Sequence, residues 1–166
     1  MARRFSLREF QQNVLNRIQV QTSGGASSLI STLGVQIGGQ NWLVQMSDIA
    51  EVLPLPTLAA VPLTKPWFIG VANIRGNLYS ITDLSAFSGV GETARGQSNR
   101  VLLLAEKYAF NAGLLVSRVI GLRDSSTWKK STLGAEATLC DEQGQVWRML
   151  DVPDLLQRAD FLQIGS

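Results

Sequence analysis

Residues 70–84 read GVANIRGNLYSITDL. Two runs of alternating apolar residues, Val71 to Ile74 and Leu78 to Thr82, meet at Arg75-Gly76-Asn77, so the segment reads as a β-hairpin turning on those three residues. Asp83 then stands where a side-chain oxygen caps a short helix, DLSAF (Asp83 to Phe87). An arginine between two strands devoted to burial needs a reason. Gly76 supplies a turn conformation that other residues reach only at a cost, and the flanking strands hold that turn rigid. Arg75 there offers a planar fork of donors suited to a carboxylate or to the carbonyls at a helix end. The competing reading is that Arg75 pairs within its own chain, with Glu51 or Asp83, and only fixes the turn.

On the N-terminal side the twofold period continues. Leu33, Val35 and Ile37 alternate with Gly34 and Gln36, GGQN (38–41) turns the chain, and Trp42, Val44 and Met46 alternate again. Ser47 to Ala50 reads as a helical turn capped by Ser47, and Glu51 to Leu55 as a strand. Pro54, Pro56, Pro62 and Pro66 confine strands near them to short or edge positions. On the C-terminal side, SGVGETARGQSN (88–99) reads as a flexible polar loop. It precedes strands at 101–105, 110–116 and 119–122, then 137–139 and 146–150 around the turn DEQG (141–144). Asp151 caps a closing helix over 152–158, with Pro153 in its first turn.

Many short strands, tight turns and little helix predict a mainly β protein of small barrels rather than a parallel α/β sheet. Two lobes are expected, split near residues 88–99. Ahead of them, Leu7, Phe10, Val14 and Ile18 recur at helical spacing, and TSGGASS (22–28) reads as a flexible connector. The expected organisation is therefore an N-terminal helix and connector over 1–28, a β domain over 29–160 and a tail over 161–166.

The 166 residues suffice for one domain, or two small lobes sharing a core. A share of 45% hydrophobic against 17% charged residues fits a globular chain. A net charge of +2, with no long basic run, is too mild to argue for nucleic acid. No apolar stretch reaches the roughly 18 residues of a membrane span, and MARRFSLREFQQ lacks a signal-peptide core, so a cytoplasmic location is expected. One cysteine, Cys140, leaves no internal disulfide. Histidine is absent, which removes the commonest general base and zinc ligand and every Ser-His or Cys-His device.

Acid-base chemistry would fall to carboxylate pairs, Asp48 with Glu51 or Asp141 with Glu142. The structural readings are stronger: Asp48 on a solvated turn, Asp141 and Glu142 in a hairpin loop. GVGETARG lacks the Gly-Lys-Ser/Thr ending of a phosphate loop. Trp128-Lys129-Lys130 reads as a solvated loop with one anchoring tryptophan rather than a nucleic-acid patch. The N-terminal helix, with Arg3, Arg4, Arg8 and Arg17 beside its apolar stripe, fits docking on a protein surface better than a membrane role.

The hairpin sequence closely resembles the core motif of CheW-like domains, the coupling proteins of bacterial chemosensory systems. EVL (51–53), Val61-Pro62, KPWFIGVANIRG and TDL (82–84) follow in that family's order, and GLLVSRVIGL (113–122) resembles its second-half signature. Together the likeness covers roughly Leu33 to Leu156. The GVAN-RG wording, Trp67, and a C-terminus with Trp147 before a helix and a final Phe161-Leu162 resemble the PilI-type members of type IV pilus (twitching) systems; the alternative is a flagellar CheW-type coupling protein, or a small-barrel nucleic-acid-binding module. Ser80 departs from the proline frequent in the family.

The resemblance implies two five-stranded barrels, SH3-like or OB-like, around a shared core, with no catalysis, no cofactor and no nucleic acid. It implies two partners: the regulatory domain of a CheA-type histidine kinase and the helical cytoplasmic tip of a chemoreceptor. Membrane contact would then be indirect, by recruitment to receptor arrays. It also implies that Ile49, Glu51, Asn73, Arg75 and Gly76 face those partners.

Overall fold

The computed structural model describes residues 32–133 and 136–165. The N-terminal helix and connector expected before residue 29 lie outside the described residues. The fold is mainly β, with two sheets and a few short helices. Strands β1 (Thr32–Ile37) and β2 (Gln40–Gln45) form the first hairpin, turning on Gly38-Gly39. A 3-10 turn, Met46–Asp48, carries the chain to β3 (Ile49–Pro54). It starts one residue before the expected cap at Ser47, and Gln45 flanks it with no side-chain cap.

The hairpin read from residues 70–84 is β4 (Phe68–Ile74) and β5 (Asn77–Asp83). Helix α1 (Leu84–Phe87) follows, its cap Asp83 accepting from the amides of Ser85 and Ala86. Then come β6 (Arg100–Leu104), β7 (Ala112–Val116) and β8 (Arg118–Arg123). The chain closes with β9 (Lys129–Leu133), β10 (Glu136–Cys140), β11 (Val146–Leu150), α2 (Val152–Gln157) and α3 (Ala159–Leu162). Asp151 caps α2 through the amide of Asp154, with Pro153 in the first turn as expected.

One sheet has the order β8-β1-β2-β11-β10-β9, the other β3-β6-β7-β5-β4. Chain order and sheet membership part company. β1 and β2 join the C-terminal strands, while β6 and β7, beyond the 88–99 segment, complete the sheet of β3 to β5. That segment is also pinned. Asp83, fully buried, accepts from the Thr93 amide at 2.8 Å and the Thr93 hydroxyl at 2.6 Å. The Asn99 side-chain amide donates to the carbonyls of Ala94 and Ser117.

The principal core lies where both sheets and the helices meet: Leu33, Val35, Ile37, Val44, Leu102, Leu104, Leu114, Val116, Val152 and Phe161 belong to it. A second cluster, Ala72, Ile74, Ile81, Val101, Leu103 and Leu115, fills the other face of the five-stranded sheet. β6 sends Leu102 and Leu104 to the first and Val101 and Leu103 to the second. Burial on both faces is why its sequence after Arg100, VLLL, is an unbroken apolar run. Each such side chain contributes about 1.5–3 kcal/mol by leaving water. Phe161, first residue of the expected tail, is buried, stacked on Trp67 and edge-on to Phe87.

The β4 edge of the sheet is covered. Ala59, beyond β3, bridges to Val71 with its amide and carbonyl both used, at 2.8 and 2.9 Å. Gly70, at φ +136°, makes this possible: a Cβ there would stand 2.6 Å from the Ala59 carbonyl oxygen.

Candidate functional site: the Arg75 hairpin tip and its groove

The β4–β5 turn has two residues, not three, since Asn77 pairs with Ile74. Arg75 and Gly76 both take positive φ, +53° and +84°. That combination marks a type I′ turn, whose twist matches the strands it joins. For Gly76 it is free; for arginine the left-handed conformation costs about 1 kcal/mol. The Asn73 side-chain oxygen accepts from the Gly76 amide at 2.9 Å and closes the turn from within.

The partner of Arg75 is Glu51, on β3. β3 and β4 are opposite edges of the five-stranded sheet, so the pair joins one edge strand to the turn that ends the other. A bulge makes this geometry. Pairing with β6 slips between Ile49 and Glu51, so Ile49 lies opposite Leu104 and Glu51 opposite Leu103. Directly opposed residues share a face. Ile49 therefore enters the shared core with Leu104, whereas Glu51 lies at the rim of the second cluster with Leu103. Without the bulge, residues two apart would have shared one face.

The structure thus separates the five residues singled out from sequence. Glu51, Asn73, Arg75 and Gly76 come together at the hairpin tip. Ile49 is 2% exposed and supports β3 from inside. Of the two internal partners open to Arg75, Asp83 is excluded, since it is buried in capping α1 and binding Thr93. Glu51 leaves much of the arginine free: side-chain exposure is 55% for Arg75 against 13% for Glu51. Its hydrogen bond and charge push the guanidinium still further above its usual value.

Arg75 and Glu51 stand at a groove of about 450 Å³ that Tyr79, Glu106, Phe110 and Asn111 also line. Sequence reasoning did not find this second wall, the β6–β7 connection. Its hold is Asp48, a buried carboxylate rather than one on a solvated turn. Asp48 accepts from the Tyr108 hydroxyl and pairs with Lys107 at 3.2 Å. Burial, then the bond to Asp48, pushes the Tyr108 phenol up to about 12.

Asp141 also has structural employment. Asp141 accepts from the amides of Gln143 and Gln145 and from the Trp147 indole at 3.0 Å. Burial raises its pKa, but these donors outweigh burial and hold it below the ordinary carboxylate value. Asp48 and Glu51 serve different cations, so that pair is divided between two separate ties. Lys129 and Lys130 belong to β9, an edge strand rather than a loop, where lysines discourage further pairing. Trp128 packs on Trp147, centroids 5.3 Å apart. Among the described residues no group of three or more metal-ligating side chains gathers, and no helix is long and apolar enough to cross a membrane.

Comparison with known proteins adds sequence and fold relationships. The family model of the CheW-like domain matches residues 31–160. Protein PilI of Pseudomonas aeruginosa is 31% identical over 143 residues, covering 81% of this chain and 80% of that protein. Chemotaxis protein CheV3 of Helicobacter pylori is 24% identical over 86 residues, 52% of this chain and 27% of that one. Among solved structures, the scaffolding protein TtCheW from Thermoanaerobacter tengcongensis shares the fold with a TM-score of 0.64 at 16% identity, covering 78% of this chain and 93% of that one.

Proposed function

Because the chain belongs to the CheW-like domain family, we propose that it is a non-enzymatic adaptor holding a CheA-type histidine kinase and a chemoreceptor together. The receptor's helical cytoplasmic tip meets the Arg75 groove; the kinase's regulatory domain binds elsewhere on the molecule. The observation that carries this reading is the half-exposed Arg75 guanidinium, fixed by a two-residue turn at the mouth of a groove. Such a fork suits a carboxylate or the free carbonyls of a helix end. Glu51, Asn73 and Gly76 hold it in place, and Ile49 anchors the strand beneath.

The likeness to PilI supports a role in a pilus-type chemosensory system, with twitching rather than swimming motility as its output. The protein would then work in the cytoplasm, brought to the membrane through the receptor. An adaptor needs two surfaces. A second concavity of about 430 Å³, lined by Trp42, Leu84, Phe87, Leu155 and Arg158 among others, shares no lining residue with the first.

The test is a pull-down with two recombinant fragments, the receptor's cytoplasmic hairpin and the kinase's regulatory domain. Wild type retains both, and Arg75→Ala loses the receptor fragment while keeping the kinase fragment. Retention of neither by wild type ends the adaptor reading.

A further inference from the structure

We propose that Asp48 and Tyr108 are positioning residues that fix the 105–111 connection as the second wall of the receptor groove and set Phe110 to meet the bound helix. This rests on the Arg75 groove being the receptor site. The connection is tied at both ends and strained between them. At the β3 end, the Ala105 amide donates to the Asp48 carbonyl at 2.9 Å, while the Asp48 carboxylate takes the Tyr108 hydroxyl and the Lys107 ammonium. At the β5 end, the Asn111 carbonyl accepts from the Ser80 amide at 3.0 Å and the Ser80 hydroxyl at 3.3 Å.

Between these ties stands Ala109 in the left-handed conformation, φ +51°, followed by Phe110, a large apolar side chain left 39% exposed on the groove. A non-glycine residue in that conformation persists only where its surroundings over-determine it. The determinant here is Tyr108, packed on the shared core by its ring and held on Asp48 by its hydroxyl. A carboxylate buried to this depth is costly unless fully engaged, so the tie is not a casual surface contact. Its product is geometric: an aromatic side chain on one wall, a cationic fork on the other. The helix this fits carries a carboxylate and an apolar residue on one face, so that the first meets Arg75 and the second Phe110.

A double-mutant cycle against the recombinant receptor hairpin separates positioning from mere stability. Phe110→Ala weakens binding because the contact is lost, and Tyr108→Phe weakens it about five- to tenfold because the wall is no longer held. In the Phe110→Ala background, Tyr108→Phe then has little further effect. Additive losses mean that Tyr108 acts through stability alone and overturn the proposal. So does unchanged binding by Tyr108→Phe while Arg75→Ala abolishes it, an outcome that leaves the receptor-site reading standing. If Arg75→Ala binds normally, the receptor-site reading has failed instead. Should Tyr108→Phe fail to fold, Asp48→Asn, which removes the Lys107 pair and leaves the phenol only a weaker, neutral acceptor, takes its place in the cycle with the same expected and overturning results.

Discussion

Arg75 can be replaced in two ways that remove the same guanidinium but differ in backbone consequence. Arg75→Ala loses the pair with Glu51 and keeps a side chain at φ +53°. Arg75→Gly loses the same pair and relieves the strain. With 55% of the arginine side chain exposed, the pair contributes about 0.5 kcal/mol after solvent screening. The left-handed conformation costs about 1 kcal/mol, partly offset by the greater unfolded-state freedom of glycine. The alanine variant should therefore be about 0.5 kcal/mol less stable than wild type, and the glycine variant equal to it or slightly more stable. Urea unfolding followed by tryptophan fluorescence resolves the difference, which corresponds to roughly 1–2 °C in Tm for a domain of this size. Receptor binding should ignore this order, with both variants losing it equally. A glycine variant less stable than the alanine variant refutes the strain argument, and losses above about 2 kcal/mol in both would make the pair a structural tie.

Gly70→Ala should destabilise by about 2–3 kcal/mol or prevent folding, because the new Cβ meets the Ala59 carbonyl at 2.6 Å; chemical denaturation measures it. Phe161→Ala, removing a buried ring between Trp67 and Phe87, should cost about 3–5 kcal/mol in the same assay, far more than a tail residue would. The Tyr108 phenol has its folded pKa raised from 10.0 to about 12, so its stabilising effect is complete below pH 10 and is lost as pH rises through 12. Stability measured from pH 9 to 12 should thus fall less steeply in Tyr108→Phe than in wild type, and parallel curves would contradict the assignment.

The elements that local chemistry specifies were legible in the sequence. Alternation marked β1, β2, β4 and β5, and Asp83 and Asp151 stood out as caps because a carboxylate before a helix start satisfies free amides directly. β9 was not legible: KKSTL has no apolar alternation, since a charged edge strand is specified by pairing with β10 rather than by its own pattern. The exchange of β1 and β2 into the C-terminal sheet depends on pairings such as Leu33 with Leu122, too distant in sequence to leave a local trace. At the site, Arg75 was found because an arginine at a hairpin tip conflicts with its surroundings. Ile49 was grouped with Glu51 only through the family resemblance, and the one-residue bulge that sends it into the core leaves no mark in the sequence pattern. Asp48 passed for a solvated acid because its partners, Lys107 and Tyr108, lie some sixty positions away.

Backbone strain gives the groove a coherence that exposure alone does not. Among the described residues, three that are not glycine have positive φ: Leu63, Arg75 and Ala109. Two of the three, Arg75 and Ala109, line one groove from connections between different strands. Each is held by bonds that do not depend on its own side chain: Asn73 to the Gly76 amide beside Arg75, and Asp48 to Tyr108 beside Ala109. Strain maintained by neighbours in this way makes a surface stiff, because relaxing either residue means breaking a tie elsewhere. A stiff surface loses little conformational freedom on binding, so more of the contact energy appears as affinity. By the same reasoning, loosening either tie should weaken binding even where every residue that touches the partner is intact.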